Sequence, residues 1–230
     1  MPVSSASRNK PPQPVFNTVF AFPPNRETLG GTAYLIQETN PEGKHANILV
    51  DCPALNEEHQ SFIAAHGGAQ TLFITHRGGM AQVPAWQAAL SCRVLIQEQE
   101  AYLLPTVSAE VFHREYALSK TSRVLWTPGH SPGSSCLHHS FYGGILFTGR
   151  HLIPNKTGAP QPLRLAKTFH WPRQLRCSQQ LLSDFTAETL SYICPGASTG
   201  FLRGEKKISQ AYAQLQTTDW QTLATAPSAM

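Results

Sequence analysis

Apolar and polar positions alternate at strand spacing through the first fifty residues, and then the period changes. Residues 15–22 mix apolar and polar side chains and stop at Pro23-Pro24. Gly30-Gly31 turns the chain into a second such run at 32–38. Asn40-Pro41-Glu42-Gly43 turns it into a third at 46–50, which ends on Asp51. Closely spaced strands joined by short turns predict a β-meander. Across 53–67 the period becomes helical, with Leu55, Phe62, Ile63 and Ala65 on one face and Gly67-Gly68 as the stop. The apolar-centred run 71–75 predicts a buried strand. It leads directly into His76-Arg77-Gly78-Gly79-Met80, after which 83–90 reads as a helix and 93–97 as a strand.

The second half has the same grammar with longer gaps. Residues 98–104 fit a short helix, and 122–126 a strand that feeds the loop 127–135. Residues 135–140 and 144–148 form a hairpin pattern around Tyr142-Gly143-Gly144. The stretch 153–172 is rich in Pro, Gly, Lys and Arg and predicts a surface loop. An amphipathic helix at 173–185, a strand at 190–194 closed by Pro195-Gly196, and a last helix at 202–215 complete the pattern. No short-period repeat is present, but two strand-rich stretches, each followed by a helix, point to two similar halves. The expected organisation is one domain over 15–223, with flexible tails at 1–14 and 224–230.

Composition narrows the partners. The chain has 230 residues, enough for a full core, and a net charge of +4 spread along its length. That balance gives no reason to expect a nucleic acid partner. No apolar run approaches the ~20 residues of a membrane span. The five cysteines lie far apart with no C-x-x-C pair, which predicts reduced, mostly buried thiols and a cytoplasmic protein. Residues 1–14 are rich in Ser, Pro and Asn without an apolar segment, and read as a tail rather than a targeting signal.

One loop stands out chemically. In Thr127-Pro128-Gly129-His130-Ser131-Pro132-Gly133 two Pro-Gly steps bracket a histidine. Proline pre-sets one turn dihedral and glycine supplies positive φ, so the loop is stiff and holds the imidazole beyond a strand end.

Together these landmarks resemble the metallo-β-lactamase superfamily, the fold of glyoxalase II-type hydrolases, over about 32–200. Ile48-Leu49-Val50-Asp51 resembles the family's early strand ending in aspartate. Leu72-Phe73-Ile74-Thr75-His76 resembles the strand that delivers its first metal-binding histidine. The His130 loop matches the second histidine loop, Leu146-Phe147-Thr148-Gly149 the strand before the bridging aspartate, and Tyr192-Ile193-Cys194-Pro195-Gly196 the last strand. The resemblance implies an α+β fold, a four-layer αβ/βα sandwich whose halves are related by an approximate two-fold. It also implies a hydrolase site with one or two metal ions, usually zinc, held by histidines and carboxylates.

At the matching positions the sequence departs from the family. The segment H-x-H-x-D-H reads His76-Arg77-Gly78-Gly79-Met80-Ala81. The related pattern T-H-R-D-D-V-A-D-H fits Thr75-His76-Arg77, but its acids fall on Gly78 and Gly79, and its later Asp and His on Gln82 and Val83. The bridging aspartate is Arg150, and the position after Pro195-Gly196 is Ala197. Only His76 and His130 remain, against the three or four protein ligands of a zinc site. Arg150 adds a permanent cation.

The expectation is therefore no catalytic residue and no cofactor, with zinc or iron through His76 and His130 as the alternative. Three readings follow. One is a non-catalytic binding or scaffold protein, a pseudoenzyme. The second refines it with an Arg-lined pocket for a small anion or acid, made of Asp51, His76, Arg77, His130 and Arg150. The third is a metal-dependent hydrolase with a rearranged site. The partner is a small anionic ligand or another protein. Arg150 is expected to point into the cleft with Asp51 as its best acceptor. His76 and His130 have a plainer alternative, hydrogen bonds to neighbouring backbone and nothing more. Cys52 reads either as a reactive thiol or as a buried small hydrophobe.

Overall fold

The computed structural model describes residues 10–228. Residues 1–9 and 229–230, which belong to the expected tails, lie outside the described range. Two sheets face each other. The first contains β1 (Gln13–Phe16), β2 (Val19–Ala21), β3 (Tyr34–Ile36), β4 (Ile48–Val50), β5 (Thr71–Phe73), β6 (Arg93–Gln97) and β7 (Ala109–Phe112), in that spatial order. The second contains β8 (Glu115–Ala117), β9 (Ser122–Trp126), β10 (Ser135–His139), β11 (Ile145–Gly149), β14 (Tyr192–Pro195) and β15 (Ile208–Ser209). β12 (Leu152–Pro154) and β13 (Pro160–Pro162) form a separate ribbon. The helices are α1 (Glu57–Ala65), α2 (Val83–Leu90), α3 (Glu98–Ala101), α4 (Trp171–Asp184), α5 (Ala211–Gln216) and α6 (Trp220–Thr225).

The period-2 rule explains the layering. On β4, β5 and β6, residues Ile48, Val50, Phe73 and Leu95 face the second sheet, where they meet Val124, Leu137, Ile145 and Phe147. The intervening Leu49, Leu72, Val94 and Ile96 face outward and are covered by Ile63 of α1 and Val83 and Trp86 of α2. On the second sheet Cys136, Leu146 and Ile193 face outward onto Leu181 of α4 and Ala211 and Leu215 of α5. Strands buried on both faces read as near-continuous apolar runs. The result is the four-layer sandwich that the resemblance implied.

β4, β5 and β6 are parallel, as are β11 and β14. Their C-terminal ends gather at one end of the sandwich. The two sheets are stitched there by the Ser135 amide donating to the Thr75 carbonyl at 2.8 Å and the Thr32 amide donating to the Gly196 carbonyl at 2.9 Å.

Several elements differ from expectation. The run 15–22 is two strands, because the chain turns at residues 17–18 and pairs with itself. β7 and β8 were not legible: they are edge segments whose side chains, Phe112 apart, are half-exposed or exposed, so no apolar stripe marks them. The stretch 153–172 is not one loop. It holds the β12–β13 ribbon, whose paired Pro154 and Pro160 an edge tolerates, and α4 starts at Trp171. The helix expected at 202–215 is interrupted by Arg203, Lys206 and Gln210, all at positive φ, leaving β15 and the short α5. α6 occupies part of the expected C-terminal tail, capped by Asp219, whose carboxylate accepts from the Gln221 and Thr222 amides. Cys52, Cys92, Cys136 and Cys194 are buried and Cys177 is half-buried.

Candidate functional site

Asp51 follows β4 in a left-handed conformation, φ 58°, which aspartate tolerates better than most residues. That turn aims its carboxylate along the strand ends. Oδ1 accepts from the Thr75 amide at 2.8 Å and Oδ2 from Thr75 Oγ1 at 2.6 Å. Thr75 Oγ1 also lies 2.8 Å from His76 Nδ1. With its own proton given to the ionised carboxylate, the hydroxyl offers only lone pairs to the ring. Nδ1–H therefore donates, and Nε2 carries the lone pair. That Nε2 is buried without a partner.

His130 faces His76 edge-on, with ring centroids 5.3 Å apart. Its loop is tied down by the Phe169 amide donating to the His130 carbonyl at 3.1 Å and the His170 amide donating to the Gly129 carbonyl at 2.9 Å. His130 Nδ1 is also buried and unpartnered. Burial, the neighbouring His130 and the charges of Arg150 and Arg77 hold the His76 imidazole well below the ordinary histidine range. Burial, with Arg150 and Arg77, lowers His130 to about 4. Both rings are neutral near pH 7. Burial pushes the Asp51 carboxyl up to about 6, against the Thr75 hydrogen bonds and the Arg150 charge.

Arg150 sits at the end of β11, but its partner differs from expectation. Nη2 donates to the carbonyls of Thr28 and Leu29, each at 2.9 Å. Asp51 makes no hydrogen bond to it, because both carboxylate oxygens are already held by Thr75; it acts on Arg150 only through charge. Arg150 Nε is buried without a partner. Arg77 is exposed at the edge of this group. His151 turns away, and its Nε2 lies 3.1 Å from Ser178 Oγ of α4. His138 and His139 lie on β10, near the opposite end of the sandwich.

The glycines that replace the family's acidic and histidine positions are packing positions. A Cβ at Gly78 would lie 2.8 Å from His76 Nε2, and one at Gly79 would lie 2.3 Å from Asp51 Oδ1. Sequence reasoning missed two residues. Thr75, which in the sequence is only one position of the strand motif before His76, joins Asp51 to His76. Glu100 of α3 is buried with both carboxylate oxygens unpartnered, and a Cβ at Gly133 would strike its Cγ at 2.8 Å. Its only signal was its place in a short helix directly after a strand that ends at the site.

The donor set does not fit the metal centre that the resemblance implies. Two imidazoles and a guanidinium stand where histidines and carboxylates would be needed. Among the described residues no group of three or more His, Cys, Asp or Glu is placed to hold an ion. Nor is any helix among them long and apolar enough to cross a membrane.

No family model and no curated protein matches the sequence. Solved structures do match the fold. A metallo-β-lactamase superfamily protein from Sulfolobus tokodaii matches 94% of this chain and 90% of its own length, at 13% identity and TM-score 0.59. TTHA1623, in a di-iron-bound form, matches 83% of this chain and 96% of its own, at 18% identity and TM-score 0.62. A β-lactamase domain protein from Burkholderia ambifaria matches 91% and 78%, at 16% identity and TM-score 0.60. The chain therefore has the metallo-β-lactamase fold, and its neighbours include a metal-loaded member.

Proposed function

We propose that this chain is a non-catalytic binding protein, a pseudoenzyme on a hydrolase fold, whose degenerate metal site takes a small carboxylate or phosphate at Arg150. One observation carries the reading: the Thr28 and Leu29 carbonyls pin the guanidinium, yet its buried Nε–H has no acceptor, and its charge is felt by both His76 and His130. A buried donor left unmade costs about 1–3 kcal/mol, and an anion would satisfy it with a charge-assisted bond. Asp51 competes little for the guanidinium, since Thr75 holds both of its oxygens. Arg77 adds a second cation at the rim. On this reading no cofactor is needed, no residue is catalytic, the protein works in the cytoplasm without nucleic acid, and its partner is a small anionic ligand or another protein.

A second reading, a metal-dependent hydrolase with a rearranged site, is favoured by the unpartnered Nε2 of His76 and Nδ1 of His130. Elemental analysis of protein purified without added metal, combined with calorimetric titration of phosphate and acetate, separates the two. The expected result is far less than one equivalent of zinc or iron, with anion binding that is lost in Arg150→Gln. One equivalent of metal that disappears in His130→Ala, with turnover of a lactam or thioester, would establish the hydrolase reading instead. Anion binding indifferent to Arg150→Gln would remove the pocket from the proposal.

A further inference from the structure

A separate cavity of about 270 Å³ lies beyond the Arg150 strand end, between the β12–β13 ribbon and the C-terminal helix. That volume is near the small end of the ~300–1,000 Å³ of typical ligand pockets. Its walls are apolar: Ile153 and Leu163 of the ribbon side, Trp171 at the start of α4, Phe201, and Leu223 of α6. Lys156 and Arg164 are the only charged residues that line it among the described residues. It shares no residue with the Asp51, His76, His130 and Arg150 group.

The roof of the cavity is held in an unusual way. α6 has six residues and fully buries no side chain, and so short a helix is not stable alone. Two polar tethers keep it in place. Trp171 Nε1 donates to the Leu223 carbonyl at 3.2 Å, and Arg164 Nη1 donates to the Ala226 carbonyl. The Arg164 guanidinium also lies 5.4 Å from the Trp171 ring centre. The tethers therefore hold an apolar roof over a space that apolar side chains leave unfilled. Phe201 remains 47% exposed at its edge. Lys156 makes no hydrogen bond or ion pair among the described residues, so its charge is available to an occupant.

We propose that this cavity binds a small organic acid with an aromatic or aliphatic body. The body would lie against Trp171, Leu163 and Leu223, and the carboxylate would face Lys156 and Arg164. The apolar walls supply the attraction for the body, and the two cations, beside the neutral Asn155 and Gln161 and with no acid in the described lining, select an acid over a neutral or cationic isostere.

The test uses the full chain and three probes of one shape: phenylacetate, phenylacetamide and phenethylamine. Their binding is followed by calorimetry and by the shift in melting temperature. Phenylacetate is expected to bind about tenfold more tightly than the amide, with the amine weakest. Lys156→Glu, on the surface, should weaken phenylacetate about fivefold and leave the amide unchanged. In an Arg150→Gln background, which removes the anion pocket proposed above, phenylacetate binding should persist, and adding Leu223→Trp should fill the cavity and abolish it. Equal affinity for acid and amide, indifference to Lys156→Glu, or no detectable phenylacetate binding would overturn the proposal. Loss of phenylacetate binding in Arg150→Gln would place the acid in the other pocket and overturn it as well. Should Leu223→Trp fail to fold, the Lys156→Glu and Arg150→Gln comparisons still decide the question.

Discussion

Thr75 takes both oxygens of Asp51: its amide reaches Oδ1 at 2.8 Å and its hydroxyl reaches Oδ2 at 2.6 Å. One residue at the end of β5 thus satisfies the buried carboxylate at the end of β4. Thr75→Val keeps the shape and the amide bond but removes the hydroxyl, leaving Asp51 Oδ2 and His76 Nδ1 without partners. The expected loss is about 2–3 kcal/mol in urea unfolding, with Thr75→Ser close to wild type. Unchanged stability in the valine variant would show that the hydroxyl is not the link.

Gly79 is required by contact rather than by its backbone angle. A Cβ there would meet Asp51 Oδ1 at 2.3 Å, whereas one at Gly200 would meet nothing within 4 Å. Gly79→Ala should therefore cost about 1–3 kcal/mol, and Gly200→Ala should be neutral within experimental error. Denaturant midpoints of the two variants, measured side by side, check the contrast.

Arg150 matters to stability through the Thr28 and Leu29 carbonyls. Arg150→Gln should lose about 2 kcal/mol, the worth of charge-assisted bonds to backbone. Arg150→Asp should lose more, since a carboxylate would face two carbonyl oxygens and stand near Asp51. A thermal melt in which Arg150→Asp matches wild type would mean that the side chain points to solvent.

His151 sets part of the pH dependence. Burial, with the nearby His130, lowers its imidazole to about 3. The unfolded chain binds this proton below about pH 6.5, and the folded chain does not until about pH 3. Stability is therefore lost as pH falls from 6.5, by about 2 kcal/mol at pH 5 from this group. Asp51 works in the opposite direction: its raised carboxyl costs stability above pH 6 and less below. That contribution is common to wild type and His151→Gln, so comparing them isolates the histidine. The variant's stability should fall less between pH 7 and pH 5, and parallel curves for the two proteins would sink the assignment.

At the far end of the sandwich, Glu38 clasps the two sheets. Its Oε1 accepts from Ser122 Oγ at 2.5 Å and Thr121 Oγ1 at 3.0 Å, with His139 Nδ1 also at 3.0 Å. Glu38→Ala should destabilise by roughly 2 kcal/mol, because Ser122 Oγ and His139 Nδ1 would lose the shared carboxylate and keep only their 2.9 Å contact with each other. Equilibrium unfolding of this variant is the check. A cost near zero would mean that water replaces the carboxylate.

The sequence by itself determined most of the strands and helices, and its resemblance to a known family implied the layers and the end of the molecule that carries the site. Runs such as Ile48-Leu49-Val50 and Leu72-Phe73 are apolar at every position because both faces are buried, and that local signal survives without knowledge of partners. Asp51, His76, His130 and Arg150 were legible as neighbours through the resemblance, which matches each to a strand end or loop at the family's site. Edge strands β7 and β8 carried no such signal, because half-exposed positions do not select apolar residues. Which groups pair at the site was decided only by tertiary structure. Asp51 and Arg150 are opposite charges at adjacent strand ends, and sequence reasoning paired them. The left-handed turn at Asp51 instead delivers its carboxylate to Thr75, and the segment ending at Leu29 brings two carbonyls to Arg150. Hydrogen-bond partners depend on backbone direction to within an ångström, which no residue pattern along a single chain specifies.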